Sequence, residues 1–130
     1  MTKLDNMSNP EIISEIQVRE ILQREFPEIN SELEKLTNPN NIYKTIDCFV
    51  DFTRNLINAG KLRSVKGCFK LAEKMLDDGN STVKNAIENV YVYSLGTVLD
   101  LSESTAKKLK KIFNGSLKKE YYRQVSAIGV

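Results

Sequence analysis

Two consecutive segments, residues 42–60 and 61–79, carry the clearest hydrophobic pattern of the chain. Apolar or small residues recur every three or four positions in both, which is the spacing of one face of an α-helix, and each segment ends in glycine. Gly60 is suited to the left-handed conformation that closes many helices. The pattern predicts a helical hairpin, whose inward positions are Ile42, Ile46, Phe49, Thr53 and Leu56 in the first helix and Leu62, Val65, Phe69, Ala72 and Leu76 in the second.

Two helices are predicted before this hairpin. The first begins with Pro10 at its first position, where proline is favoured, and continues until Pro27, which opens a short second helix. Residues 37–41 are predicted to be a loop, from which Asn40 or Asn41 caps the hairpin. The apolar positions are Ile12, Ile16, Val18, Ile21, Leu22 and Phe26 in the first helix and Ile29, Leu33 and Leu36 in the second.

After the hairpin, Asn80 or Ser81 starts a helix that we predict to be the central one. Its apolar residues cover a wider arc than a surface helix needs, and they are Val83, Ala86, Ile87, Val90, Tyr91, Ser94, Leu95 and Val98. A short basic helix, TAKKLKKIF, follows and ends at Gly115. A last helix, SLKKEYYRQVSAI, is predicted to bury Leu117, Tyr121, Val125 and Ile128.

The predicted fold class is therefore all-α, because no segment alternates for long with a period of two. We expect a compact helical bundle or a helical-repeat-like array of about five to seven helices. Residues 1–40 are interpreted as an acidic helical segment that packs on a core domain formed by residues 41–130, within one domain overall. The fragment GCFKLAEKML is similar to the second helix of a tetratricopeptide unit.

Composition places the chain among ordinary globular proteins. Of its 130 residues, 41% are apolar and 28% are charged, so the chain as a whole is neither a disordered segment nor a rod. No apolar run reaches the roughly 20 residues of a membrane helix, and the N-terminus lacks the pattern of a signal peptide. We therefore expect a cytoplasmic protein without membrane contact, in which Cys48 and Cys68 stay reduced.

The charges are distributed unevenly, although the net charge is only +2. Residues 1–40 hold four Lys or Arg against eight Asp or Glu, whereas residues 101–130 hold seven against two. These ends could meet within the fold, pair between subunits, bind separate partners or simply be solvated faces. The basic cluster consists of Lys107, Lys108, Lys110, Lys111, Lys118, Lys119 and Arg123, with Tyr121 and Tyr122 nearby.

Four motifs occur in a fixed order: a helix with CFVDF, a helix with CFKLAEKML, the helix VKNAIENVYVYSL and the tail LKKEYYRQ. In this order they resemble a family of small bacterial proteins classified only as a domain of unknown function. The resemblance covers roughly residues 38–126, and the N-terminal third lies largely outside it. It implies a compact helical domain with no known activity, cofactor or catalytic residue.

Catalytic chemistry has little support in the residues. Histidine is absent, which removes the commonest general base and zinc ligand, and two isolated cysteines make no metal site. Gly-rich phosphate loops, a Gly-x-Ser-x-Gly elbow and clustered aspartates are also missing from the sequence. We therefore expect no enzyme, no cofactor and no metal; an enzyme that uses Glu88 is the third alternative.

Polar residues mark one side of the predicted central helix. Asn85, Asn89 and Tyr93 follow at a spacing of four, and Glu88 lies one step around the helix. The favoured interpretation is that the two amides and Glu88 are buried and hydrogen-bond neighbouring helix ends. The functional interpretation is that the four residues line a groove that grips a protein partner.

From these patterns we expect a non-catalytic protein–protein interaction module, such as an adaptor or an immunity-type protein, present as a monomer or homodimer. The alternative is a nucleic-acid-binding protein that uses the C-terminal lysine-rich helices. Nucleic acid is the less favoured partner, because no helix-turn-helix pattern precedes the lysines.

Overall fold

The computed structural model describes residues 12–38, 40–99 and 103–127. These ranges contain seven helices and no β-strand, which confirms the predicted all-α class. We number them α1 (Glu15–Glu25), α2 (Asn30–Leu33), α3 (Ile42–Asn58), α4 (Leu62–Asp78), α5 (residues 81–99), α6 (Glu103–Ile112) and α7 (Gly115–Ala127). A 3₁₀ turn, Pro27–Ile29, leads into α2.

Helix α1 begins later than predicted. Residues Ile12 and Ile13 are not helical, and Ser14 caps the helix that starts at Glu15. The Ile13 amide and carbonyl instead bond the main chain of residues 78 and 80, at 2.8 and 2.9 Å. The prediction of a start at Pro10 is thus wrong for residues 12–14, and the cap at Asn9 lies outside the described residues.

The helical hairpin of α3 and α4 follows the predicted pattern closely. The Asn41 side chain caps α3 by accepting the Lys44 amide at 3.2 Å, and Gly60 ends it with a φ of 73°. Gly79 ends α4 differently, since its backbone is extended. A Cβ at Gly79 would overlap the Met75 carbonyl and the Val83 side chain, so close packing requires glycine there.

Helix α5 is the centre of the fold, as its wide apolar arc predicts. It contacts α1, α3, α4, α6 and α7. The Asn80 side chain caps it by accepting the Val83 amide at 2.9 Å, and it also donates to Glu15 at 2.7 Å. This second bond ties the start of α5 to the start of α1.

One hydrophobic core runs through the described residues. The N-terminal region contributes four side chains that are completely buried, Val18, Leu22, Ile29 and Leu33. The apolar residues Ile12 and Ile16 of the same region are 66% and 64% exposed. In α7, Leu117 is buried while Tyr121 and Val125 are half-buried, and the predicted core residue Ile128 lies outside the described residues.

Candidate functional site

The polar stripe of α5 lies on the surface of the molecule. Asn85 and Asn89 are exposed, Tyr93 is 67% exposed, and Glu88 is partly exposed at the edge of the stripe. The interpretation of buried helix-linking amides is therefore wrong for Asn85 and Asn89. These side chains lie on an exposed side of α5, and we call the three exposed residues Asn85, Asn89 and Tyr93 the ridge.

A π-helical turn in the middle of α5 sets this arrangement. The helix is α-helical over Ser81–Ala86, π-helical over Ile87–Val92 and α-helical again over Tyr93–Leu99. Because a π turn bonds each amide to the carbonyl five residues earlier, it holds about one residue more than an α turn of 3.6. A spacing of four residues lies between the lengths of these two turns, so Asn85, Asn89 and Tyr93 remain near one side of α5, and all three are exposed.

The same turn changes which apolar residues face the core. Regular α-helical spacing from Ile87 predicts that Val90 and Ser94 are buried, but both are only partly buried. Tyr91 and Leu95, which the same spacing also predicts, are buried, and Val92 is completely buried although it lies off that predicted face. The buried face around the π turn thus includes Val92, whereas Val90 and Ser94 lie at its edge.

The buried polar contact of α5 is made by Tyr91 rather than by the asparagines. Its hydroxyl is 2.9 Å from the Thr53 hydroxyl of α3, which also donates to the Phe49 carbonyl at 2.8 Å. The Tyr91 ring stacks on Phe49, with the ring centroids 4.6 Å apart. Burial raises the pKa of Tyr91 well above its usual value, so the phenol remains a neutral hydrogen-bonding group.

Cys68 lies beside this contact. Both cysteines of the chain are free, and burial raises the pKa of the Cys68 thiol to about 11, against a smaller opposing effect of the Thr53 hydrogen bond. A thiol in this state is a poor nucleophile. Cys68 is therefore a packing residue of the core.

Helix α7 is hydrogen-bonded to α5 at Glu88, beside the polar stripe. The Gln124 amide donates to the Glu88 main-chain carbonyl, inside the π turn, at 2.7 Å and to the Glu120 carboxylate at 2.8 Å. Arg123 binds that carboxylate through two nitrogens, at 2.8 and 2.6 Å. These hydrogen bonds, with Arg123 first, lower the pKa of Glu120, and Glu120 raises the pKa of Arg123 with a smaller contribution from Glu88.

Sequence reasoning did not identify this cluster around Gln124. The motif LKKEYYRQ contains one indication of the cluster: Glu120 and Gln124 are four residues apart, a spacing at which two side chains of a helix can form a hydrogen bond. That the amide reaches the main chain of another helix depends on how α5 and α7 pack. No local pattern reveals this.

The predicted basic cluster is spread over the surface of α6 and the start of α7. Ala106 and Leu109 of α6 and Phe113, which follows the helix, are buried. The six lysines are all exposed, namely Lys107, Lys108, Lys110, Lys111, Lys118 and Lys119. None of the six forms an ion pair with a side chain that the structure describes. Their charge faces solvent.

In the described part of the chain, no acidic residue of the N-terminal region forms an ion pair with these lysines. Glu32 approaches the thiol of Cys48, whose pKa is raised first by partial burial and then by Glu32, Asp51 and Asp47. Within the described part of the chain, the contact partners of Glu32 and Asp51 are Lys35 and Arg54, both at 3.4 Å. The acidic and basic ends therefore do not pair within the described fold.

Two carboxylates of α4, which the sequence analysis did not identify, position the start of α7. The Glu73 carboxylate of α4 accepts the Ser116 amide at 2.7 Å, and Asp77 bonds the Ser116 hydroxyl. Gly115 has a φ of 65°, and a Cβ there would overlap Glu73. Carboxylates favour helix N-termini, so this pair anchors the first turn of α7 to α4.

Among the described residues, no group of three or more His, Cys, Asp or Glu side chains could hold a metal ion. No helix in the described part of the chain combines the length and the apolar character needed to cross a membrane.

The chain belongs to the family described as Domain of unknown function (DUF7674), whose model matches residues 19–127. This match confirms the family resemblance and extends it beyond the expected residues 38–126, so most of α1 and all of α2 are part of the family domain. No curated protein and no solved structure matches the chain significantly.

Proposed function

We propose that the protein is a non-catalytic protein–protein interaction module that binds its partner through the ridge formed by Asn85, Asn89 and Tyr93. The observation that carries this proposal is the exposure of Tyr93, at 67%, on the helix that otherwise forms the centre of the core. Leaving a large aromatic ring in water gives up its burial energy. A partner that covers the ring would recover that energy.

The chemistry of the ridge suits a protein surface. Tyrosine is enriched in protein interfaces because it offers a large contact area, a hydroxyl group and few rotatable bonds. The Asn85 and Asn89 amides can each donate to and accept from a main chain. Arg123, which lies next to Glu88, adds a residue type that often dominates binding energy.

The ridge is also held rigidly, which reduces the entropic cost of binding. The π turn below it is bonded to α3 through Tyr91 and Thr53 and to α7 through Glu88 and Gln124. These contacts hold the backbone of the turn that precedes Tyr93. An adaptor or an immunity-type protein in the cytoplasm, acting as a monomer or homodimer, is the role for which such a preformed surface is suited.

Site-specific photo-crosslinking in the native cells tests this proposal. One variant carries benzoylphenylalanine in place of Tyr93, and the matched control carries it in place of Tyr43, an exposed tyrosine of α3. We expect a discrete product from position 93 that is absent from position 43. Excess unlabelled wild type should compete the product away, whereas the Asn85→Ala/Asn89→Ala protein should compete poorly.

A melting-temperature measurement accompanies the experiment. Since Asn85 and Asn89 are exposed, the double alanine variant should melt within a few degrees of the wild type, as about ±0.5 kcal/mol is usual for surface changes. Absence of any product at position 93, or the same product at both positions, would reject the ridge as the binding face.

Nucleic-acid binding is a second candidate, supported by the exposure of the six lysines of α6 and α7. Phosphate contacts make such binding strongly salt-dependent. Neutralising Lys107, Lys108, Lys110 and Lys111 should then abolish a gel shift of DNA or RNA. No shift at low salt with the wild-type protein would dismiss this candidate.

A further inference from the structure

A small cleft separates α4 from the turn between α6 and α7. It has a volume of about 70 Å³ and is lined by Lys66, Phe69, Lys70, Glu73, Ile112 and Asn114. The lining combines an apolar floor, made by Phe69 and Ile112, with lysines on its α4 side. This cleft lies away from the ridge of α5 and plays no part in the proposed function.

The size of the cleft limits what can enter it. Sites for cofactors and drug-sized ligands measure about 300–1,000 Å³, so a volume of about 70 Å³ admits no more than the end of one side chain. Phe69 is only 4% exposed, which leaves no open ring face on which a nucleic-acid base could stack. Ile112 is only partly buried, so it offers the apolar surface against which an aliphatic side chain of a peptide can pack.

The charge around the cleft is positive on both sides. Lys66 and Lys70 are exposed on α4, and Lys108 and Lys111 are exposed on α6. Lys108 precedes Ile112 by four residues, so it lies on the same side of α6 as the cleft. None of these four lysines pairs with an acidic side chain in the described part of the chain.

Glu73 is the one carboxylate in the lining of the cleft, and it is already hydrogen-bonded to another part of the chain. It accepts the Ser116 amide at 2.7 Å at the start of α7. A carboxylate at this end of the cleft repels a continuous row of phosphates more than it repels a peptide, whose charges can be spaced to avoid it. The exposed Asn114 amide can bond a peptide main chain.

From these features we infer that the cleft is a docking site for an acidic segment of another protein, with the end of one aliphatic side chain packed against Ile112 and carboxylates beside Lys66, Lys70 and Lys108. The acidic face of a second copy is a poorer occupant. Its residues Glu32 and Asp51 already pair with Lys35 and Arg54.

Fluorescence anisotropy with three probes tests the inference. The first probe is a labelled peptide of repeated Glu-Glu-Leu units, the second has glycine in place of each leucine, and the third is a DNA duplex of about 20 base pairs. We expect the leucine peptide to bind several-fold more tightly than the glycine peptide and more tightly than DNA. Its affinity should fall as NaCl is raised from about 50 mM to about 300 mM.

Two double variants with the same change in net charge locate the site. Lys66→Glu/Lys70→Glu should weaken binding of the leucine peptide about tenfold or more, whereas Lys44→Glu/Lys61→Glu, which changes two exposed lysines outside the cleft, should have little effect. Circular dichroism confirms that both variants fold. Because these variants leave Tyr93 untouched, the result is independent of the crosslinking experiment.

Four outcomes would overturn the inference. They are tighter binding of DNA than of the leucine peptide, equal binding of the leucine and glycine peptides, equal weakening by the two double variants, and a concentration-dependent self-association that Lys66→Glu/Lys70→Glu abolishes. The last would identify a second copy as the occupant.

Discussion

Each helix of the hairpin, α3 or α4, is similar in length and apolar pattern to the central helix α5, yet the hairpin and α5 differ in how they are built. In the hairpin, the buried positions follow α-helical spacing from Ile42 to Leu76. In α5, a π turn interrupts that spacing after Ala86. The comparison shows that contacts with the five surrounding helices determine the backbone of α5 more than the spacing of its apolar residues does.

The neighbours act on α5 at two points. Thr53 of α3 holds the Tyr91 hydroxyl inside the core, and Gln124 of α7 donates to the Glu88 carbonyl. Both bonds involve residues of the π turn, Ile87–Val92. The tertiary hydrogen bonds of α5 thus lie where its backbone departs from the α-helical pattern, and the bond to Thr53 keeps the buried Tyr91 hydroxyl satisfied.

The largest expected effect comes from removing the Tyr91 ring. Tyr91→Ala should cost about 3–5 kcal/mol of unfolding free energy, the usual range for a buried aromatic ring. Tyr91→Phe keeps the ring and should cost only about 1 kcal/mol, since Thr53 still donates to Phe49. Urea denaturation measures both, and equal losses would mean that the hydroxyl, not the ring, dominates.

The glycines that end the two hairpin helices should respond unequally. Gly79→Ala introduces an overlap with Met75 and Val83 and should cost about 1–3 kcal/mol. Gly60→Ala meets no atom within 4 Å but keeps a positive φ, so about 1 kcal/mol is expected. Thermal denaturation compares the two variants. A smaller loss of unfolding free energy for Gly79→Ala than for Gly60→Ala would contradict the close packing of Gly79 between α4 and α5.

A smaller and more local effect is expected from Gln124→Ala. Loss of the bond to the Glu88 carbonyl should cost about 1 kcal/mol and speed hydrogen exchange of the amides in residues 87–93. Exchange in α3 should change little. Gln17→Ala, which removes a side-chain bond at the start of α1, is the matched control. Faster exchange across the whole chain would argue against a local role of Gln124.

The smallest effect concerns pH. Because Arg123 and Gln124 lower the pKa of Glu120 below its ordinary value of 4.5, this contribution to stability is complete above the unfolded pKa and is lost as the pH falls through the folded pKa. Glu120→Gln should therefore lose less stability than the wild type when the pH is lowered from 7 to below about 4. The urea midpoints of both proteins at both pH values test this. Equal losses of stability in the wild type and in Glu120→Gln would refute it.

Much of the fold was predictable because amphipathic helices reveal their buried face locally. Ile29 and Leu33 were assigned to the core by spacing alone, as were Phe49 and Val65, and all four are completely buried. Gly60 was correctly identified as a left-handed cap. The start of α1 was predicted wrongly, because Pro10 and Glu11 are good initiators whereas Ile13 is bound to the main chain of residues 78 and 80.

The candidate site was predictable in its residues but not in its geometry. Spacing of four placed Asn85, Asn89 and Tyr93 on one side of a helix, and they share an exposed side. The burial of Asn85 and Asn89 was predicted wrongly because apolar neighbours suggested a helix enclosed all around. Exposure depends on where α7 stops covering α5, which the order of residues does not encode locally.

By itself, then, the sequence determined the helical class, the hairpin and most of the core, because these depend on the period of apolar residues and on caps within a few positions. Only the tertiary structure decided the π turn, the exposure of the ridge and the cleft beside α4. Each of these depends on contacts between residues distant in the chain, such as Thr53 with Tyr91 and Gln124 with Glu88, and such contacts leave no periodic signal.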